Sequence, residues 1–458
     1  MGIATINPAT GESMKSFDEL SDTEIEQKLA LAASTYVSFR LTTFAQRSEW
    51  MLAAGQLLDE ERDRLAEILT TEMGKTLASA RQEVEKSAKA CRFYADNAET
   101  FLSTEPADAA AIGATDAYVC YQPLGPVLAV MPWNYPLWQA MRFAIPALMA
   151  ANVGLLKHAS NVPQTALYIE DLFLRAGFPR GAFQTLLVSS GKVAAIIRDE
   201  RVVAVTLTGS NAAGESVAQA AGSVTKKLVL ELGGSDPFIV MPSADLARAA
   251  QVGVTARCLN NGQSCIAAKR FIVHESVADE FERLFVQGMS ALTVGDPMDA
   301  STDIGPLSSI GQREEVAALV GEAVKLGARV LCGGEVPSGA GAFYPPTVLT
   351  GITAEMRIDQ EEVFGPVATI YRVADVDEAV RVANATPFGL GANVWTQDAS
   401  ERERFVRDCE SGMVFINGNV TSYPELPFGG VKASGYGREL AANGIREFCN
   451  TKSVWVGK

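Results

Sequence analysis

Histidine is nearly absent from this chain: 458 residues hold two, His158 and His274. Most metal sites and every Ser-His or Cys-His triad need an imidazole, so those chemistries have little to stand on, and no metal site is expected. The seven cysteines, at positions 91, 120, 258, 265, 332, 409 and 449, are odd in number and form no C-x-x-C pair. That argues against a disulfide framework or structural zinc and fits free thiols in a reducing compartment, so a cytoplasmic protein is expected. Basic residues are outnumbered, 39 Lys plus Arg against 54 Asp plus Glu, for a net charge of −15. Such a field suits neither nucleic-acid backbones nor anionic membranes, and neither is expected as a partner. Long uncharged runs are missing too. The most apolar stretch, 124–156, is broken by Asn134, Arg142 and four prolines, and reads as buried core. The N-terminus lacks the basic region and apolar core of a signal peptide.

What is present is α/β patterning, over a length that suggests about three domain-sized units. Residues 22–103 carry helical apolar spacing with dense charge between. Then the period changes: 117–122 and 127–131 read as strands around the turn Pro123-Leu-Gly-Pro126. From 138 strand-like runs (153–157, 183–188, 202–207, 227–231) alternate with helix-like ones (138–151, 161–176, 192–198, 211–222). That alternation predicts a parallel sheet covered on both faces, with ligands beyond the carboxyl ends of its strands. After Gly233-Gly234 it continues as a second α/β unit, with strands near 237–240, 270–273, 368–371, 390–395 and 413–416. A terminal strand, 451–456, needs a partner, and the 117–131 strands of this or another subunit are candidates.

Four segments carry chemistry. Cys265 follows Asn261-Gly-Gln-Ser and precedes small residues that suit a helix start, where exposed amides would lower a thiol's pKa. It is a candidate nucleophile; the alternative is a small buried hydrophobe. Glu231 closes the apolar strand 227–231, where burial would raise its pKa and suit it as a general base; it equally fits a strand end pointing to water. Thr208-Gly-Ser-Asn-Ala-Ala-Gly214 links a strand to a helix and offers helix-start amides and the Ser210 hydroxyl to a phosphate, or is an ordinary capped helix. Asn134, in Pro132-Trp-Asn-Tyr-Pro136, is either a stiffened oxyanion donor or a turn asparagine.

Together with Glu361-Glu-Val-Phe-Gly-Pro366 and Pro427-Phe-Gly-Gly-Val-Lys-Ala-Ser-Gly-Tyr-Gly-Arg-Glu439, these segments resemble the signature set of the aldehyde dehydrogenase superfamily, over essentially the whole chain. The chain starts close to its first motif, Asn7-Pro-Ala-Thr-Gly, and looks short for the family there. The resemblance implies a Rossmann-like cofactor domain (1–110 and 124–233), a second α/β catalytic domain (234–435) and a small β-strand oligomerisation element (111–123 and 436–458) in a homodimer or homotetramer. It implies that Cys265 attacks an aldehyde carbon, that Asn134 and the Cys265 amide hold the oxyanion, and that Glu231 activates water against the thioester. It implies a nicotinamide cofactor touched by Trp133, Lys157, Ser160, Gly209, Ser210, Gly234, Glu362 and Phe364. The Glu231 base argues against acylation of coenzyme A, and a non-catalytic binding protein would have no use for Cys265, Glu231 and Asn134 together.

For the substrate, Arg142 comes near the second turn of the helix after Asn134. An arginine in an apolar tunnel needs an anionic partner, either a substrate carboxylate or an internal one. The resemblance narrows to a short bacterial succinate-semialdehyde dehydrogenase subgroup, with glutarate semialdehyde and lactaldehyde as alternative substrates. Many members of the wider group carry a second arginine where Leu259 stands here; only Arg257 is nearby, so a single-arginine clamp is expected. Trp138, Ile266, Thr421, Ser422 and Phe428 align with tunnel positions. At the end of the strand that starts at Val153, Ser160 stands where NAD-preferring relatives commonly carry a glutamate. Ser160 and Lys157, helped by the dipole of a helix starting near Asn161 and marginally by His158, predict preference for NADP with residual use of NAD; Ser160 could also simply cap that helix.

Overall fold

A computed structural model describes residues 2–458. Helices Asp22–Phe39, Phe44–Glu60, Arg62–Met73 and Leu77–Phe101 resolve the charged, helical region. Ser21 with Glu24, and Thr43 with Gln46, form reciprocal capping boxes that define two of the starts. Before them lies a hairpin that the sequence analysis did not anticipate, Ile3–Ile6 against Ser13–Phe17. Its turn is the Asn7-Pro-Ala-Thr-Gly segment: Asn7 Oδ1 accepts from the Ala9 amide at 2.9 Å, and Gly11 takes φ +79°.

The first α/β unit is a six-stranded sheet in the order Gly435–Tyr436, Lys227–Glu231, Ala204–Thr208, Pro126–Met131, Val153–His158, Phe183–Thr185, parallel except for the first strand. The chain enters at Pro126–Met131, builds outward to one side, then returns to build the other. The strand order therefore reverses between Pro126–Met131 and Ala204–Thr208, and a crevice opens at their carboxyl ends. The run 183–188, read as one strand, ends at Thr185, because Val188 N–H bonds Leu186 O in a tight turn. The helix predicted from residue 161 begins at Pro163, and the one predicted from 138 begins at Pro136; proline's fixed φ suits the first helical position in both.

The second unit is a seven-stranded sheet, ordered Arg329–Cys332, Thr347–Thr350, Val367–Val373, Arg270–His274, Pro237–Val240, Gly391–Trp395, Met413–Ile416, again parallel apart from its first strand. The two strands at 329–332 and 347–350 were not foreseen. Phe238, Phe271, Phe281, Phe285 and Trp395 fill one face, and Ile239, Ile272, Val394 and Phe405 the other. The terminal strand Cys449–Val456 pairs along its whole length with Asp116–Pro123 of the same chain, and Glu105–Pro106 adds a third strand. The expected boundaries at 110 and 435 thus cut differently from the sheets. Glu105–Pro106 belongs with the terminal strand, and Gly435–Tyr436 crosses the second boundary to finish the six-stranded sheet. Among the described residues, no helix is long and apolar enough to cross a membrane, and no cluster of side chains has the makings of a metal site.

Candidate active site

The nucleophile segment is held in an unusual backbone path. Helix Leu246–Cys258 ends, and Asn260, Asn261 and Gly262 follow with φ of 56°, 58° and 76°. Two consecutive left-handed asparagines store strain, and each is braced. Asn260 Nδ2 donates to Asn134 O at 2.7 Å and to Gln263 O at 3.1 Å, while Asn261 Nδ2 donates to Gly74 O and Pro306 O, both at 2.9 Å. Gly262 has no alternative, since a Cβ there would lie 2.3 Å from the Gly365 carbonyl carbon. Arg257, fully buried, donates to Gly262 O at 2.7 Å and Val367 O at 3.2 Å, so it is a brace and not a substrate ligand. Lys269 closes the turn from the other end, its ammonium donating to the carbonyls of Ser264, Cys265 and Ala267 at 2.9–3.2 Å.

Cys265 sits in a turn that no helix follows, which corrects the expectation of a helix start. Without a helix dipole the thiol's pKa moves the other way: burial pushes it up to about 12, against a smaller opposing pull from Arg142. The buried Asn134 points its amide at the same turn, Nδ2 donating to Gln263 O at 3.1 Å and keeping a second N–H to offer.

Two cavities meet at Cys265. The first, about 250 Å³, opens at the strand-order reversal and is lined by Trp133, Asn134, Gly209, Ser210, Glu362 and Phe364. Ser210 lines the crevice and caps helix Asn211–Gly222, its hydroxyl oxygen accepting from the Ala213 amide at 3.4 Å. Trp133 and Phe364 meet edge to face at 5.7 Å. Glu362 pairs with Lys269 at 3.0 Å; burial raises its pKa and Lys269 pulls the other way. Gly234 is not on this wall. It packs on the nucleophile turn, where a Cβ would lie 2.6 Å from Cys265 O, and Gly233 lines the cavity in its place. The second cavity, about 260 Å³, is lined by all six of the residues aligned with the substrate tunnel, Trp138, Arg142, Ile266, Thr421, Ser422 and Phe428, with Leu259 as a further apolar wall.

Arg142 lines that tunnel already paired. Its guanidinium forms an ion pair with Glu439, side chains 2% and 6% exposed, and lies over the Phe428 ring at 4.3 Å. Of the two anionic partners open to it, the internal one is present, so part of its charge is already answered inside the protein. Glu231 joins this cluster. Both its oxygens are buried without hydrogen bonds, and Oε1 lies where a Cβ on Gly429 would come within 2.6 Å. It faces neither cavity in this conformation. Burial first, and then the nearby Glu439 charge, drive its pKa well above the carboxylate range; Arg142 opposes. Arg142 pairs with Glu439 and not with Glu231, so Glu231 is the less compensated of the two carboxylates.

Lys157 and Ser160 stand outside the first cavity, at the carboxyl end of Val153–His158. Ser160 is exposed and caps nothing, because the helix starts at Pro163 with Val162 as its cap residue; its dipole is correspondingly farther off than expected. Burial lowers the Lys157 pKa, and Glu19 partly offsets that. His158 contributes no charge: burial lowers its pKa to about 4, Nε2 donates to Pro136 O at 2.7 Å and Nδ1 accepts from the Ala159 amide.

Sequence reasoning missed several residues of the site. Glu83, from helix Leu77–Phe101, accepts the amides of Leu137 and Trp138 at 2.9 and 2.8 Å, capping the helix that carries Trp138 and Arg142, and is itself paired with buried Lys75. Lys86, one turn on, reaches the second cavity. Glu439 lay inside a quoted motif, but nothing local marked it as the partner of Arg142. For Lys86 the only signal was an ionisable residue in an otherwise amphipathic helix, which is indistinguishable from a surface lysine.

Comparison with known proteins fits this geometry. The model of the aldehyde dehydrogenase family matches residues 1–454. The chain is 61% identical to succinate-semialdehyde dehydrogenase (NADP+) 1 of Mycobacterium ulcerans over 458 residues, covering all of both chains. It is 60% identical to the protein of the same description from Mycobacterium tuberculosis over 456 residues, again the full length of both. Among solved structures it superposes on succinic semialdehyde dehydrogenase from Streptococcus pyogenes, in complex with NADP+, with a TM-score of 0.97 at 38% identity and full coverage of both. The structure of Gox0499 gives 0.98 at 41%, with the same coverage. Full-length identity at this level, around one cysteine at the junction of two cavities, leaves no other assignment: the chain belongs to the aldehyde dehydrogenase family.

Proposed function

We propose that this protein is an NADP+-dependent succinate-semialdehyde dehydrogenase, with the 1–110 and 124–233 segments serving the cofactor and 234–435 the chemistry. The observation that carries the reading is Cys265 at the meeting point of a crevice suited to a dinucleotide and a tunnel with cationic walls. The names of the 60–61% identical relatives support it. The residues of the crevice and its margin suit the cofactor chemically: the helix start at Ser210 for phosphates, the Lys157 ammonium and Ser160 hydroxyl beyond the cavity for the adenosine end, Glu362 for ribose hydroxyls, and the Trp133 and Phe364 rings beside the nicotinamide. Ser160 places no carboxylate against a 2′-phosphate, which permits NADP+ and leaves weaker use of NAD+.

NADP+, when bound, supplies the acceptor for the aldehyde's hydride. The protein does the rest. Cys265 Sγ bonds to the carbonyl carbon as the thiol proton passes to solvent water in the cavity. The free N–H of Asn134 and the Cys265 amide hold the oxyanion. The resulting thioester is opened by water, whose proton Glu231 takes; for this its side chain has to turn from Gly429 toward Cys265. Acid leaves and the thiol is restored.

The exposed apolar residues Trp455, Val456 and Ile112 around the terminal strand favour a homodimer or homotetramer built there, and the free thiols suit the cytoplasm. The test is a panel of aldehydes of like length, charged and neutral, crossed with both cofactors. Highest kcat/KM for succinate semialdehyde with NADP+ is expected; a neutral aldehyde or NAD+ ahead of it would overturn the reading.

A further inference from the structure

The second cavity has a positive group besides Arg142, whose charge Glu439 already answers in part. Lys86 is that group by position. It rises from helix Leu77–Phe101 beside Trp138, its Nζ 4.5 Å from the centre of the indole ring, and donates to Ser422 Oγ at 2.6 Å. Trp138 Nε1 donates to the same Ser422 Oγ at 3.0 Å. Two donors thus converge on one hydroxyl in a wall of a cavity whose other wall is Cys265. Among the described residues, no carboxylate pairs with Lys86. Glu83, which also reaches the wall, has its oxygens consumed by Lys75 and by the Leu137 and Trp138 amides, and Glu425 is taken by Lys89. Such a half-buried, unpaired ammonium at a cavity wall is costly to hold without an anion.

We infer that Lys86, with Ser422 and Trp138, binds the carboxylate of the acid aldehyde, and that Lys86 sets the selectivity for charged over neutral substrates. The inference rests on the proposed substrate class. Ser422 donates its hydroxyl proton to the incoming carboxylate while its lone pairs keep the Lys86 and Trp138 donors aimed at the same place. The charged or titratable groups facing Lys86 are Arg142 from the neighbouring helix, Cys265 from the nucleophile turn, and Glu83 and Lys75 beside its own base. Burial, followed by repulsion from Arg142, lowers the Lys86 pKa to about 7. The positive form, and with it tight binding of the anion, is therefore present below that pH and lost above it.

The experiment compares kcat/KM for succinate semialdehyde and butanal, with NADP+, in the wild type, Lys86→Met and Lys86→Arg, and follows KM from pH 6 to 9. In Lys86→Met the preference for the acid aldehyde should fall about 10- to 100-fold, mostly through KM, as expected for a lost charge-assisted contact. Lys86→Arg should keep most of the preference. In the wild type, KM for succinate semialdehyde should climb above pH 7 while that for butanal does not, and Lys86→Arg should flatten the climb. Butanal turnover in each variant reports that the protein is folded. A preference unchanged in Lys86→Met, or parallel KM profiles for the two aldehydes in the wild type, would overturn the role of Lys86. A wild type with no preference for the acid aldehyde would instead remove the proposed substrate, and this inference with it.

Discussion

Arg142 and Glu439 offer the sharpest test of how this active site is built. Their side chains are 2% and 6% exposed, so the pair belongs with buried ion pairs and not with surface ones. Removing one partner from a buried pair strands the other and costs about 3–5 kcal/mol, whereas replacing both with apolar side chains of similar volume is often near neutral. We expect Arg142→Met and Glu439→Leu each to lower stability by about that amount. The double variant should lose far less than the sum, a coupling of about 3 kcal/mol. The singles differ in kind. Arg142→Met leaves Glu439 beside Glu231, two carboxylates that cannot both ionise, while Glu439→Leu leaves a cation that Glu231 can partly answer. Glu439→Leu should therefore be the milder. The assay is urea unfolding followed by tryptophan fluorescence and by activity, with midpoints and slopes compared across the cycle. Effects that add to within about 0.5 kcal/mol would refute the reasoning, because independent sites add and paired ones do not.

Cys265→Ala should abolish aldehyde oxidation and leave the NADP+ dissociation constant, read by fluorescence titration, near the wild-type value; retained steady-state turnover would falsify the covalent route. Glu231→Gln should slow thioester hydrolysis more than reduction of the cofactor, giving a pre-steady-state burst of NADPH in stopped flow. Because the folded-state pKa of Glu231 is raised, its basic form is scarce at low pH, so wild-type deacylation should quicken as pH rises through that pKa, and the Glu231→Gln rate should lack this rise. Ser160→Glu should move the ratio of kcat/KM toward NAD+, since a carboxylate at that strand end repels a 2′-phosphate by several kcal/mol; an unmoved ratio would show that cofactor choice is made elsewhere.

Much of this molecule was legible before folding. Period and punctuation alone placed the helix 211–222 and the strands 227–231, 237–240 and 413–416 to the residue, because each has a clear apolar period and a polar or glycine stop. The motifs around Asn134, Ser210, Glu231 and Cys265 were visible because their chemistry is local: a proline-stiffened turn, a strand-to-helix junction, a lone acid in an apolar strand; Glu362 entered only through the family resemblance. The terminal strand announced its need for a partner, though only the fold assigned it to Asp116–Pro123.

What the sequence could not carry is pairing over distance. Arg142 meets Glu439 across 297 positions, and Lys86 meets Ser422 across 336. No local pattern distinguishes a lysine that enters a tunnel from one that faces water, or an arginine awaiting a substrate from one already paired. The direction of a pKa shift is undetermined for the same reason. The small residues after Cys265 suggested a helix and a lowered pKa, and the tertiary structure made a strained turn and raised it. Burial and field are sums over neighbours from every part of the chain, so they exist only once the chain has closed on itself.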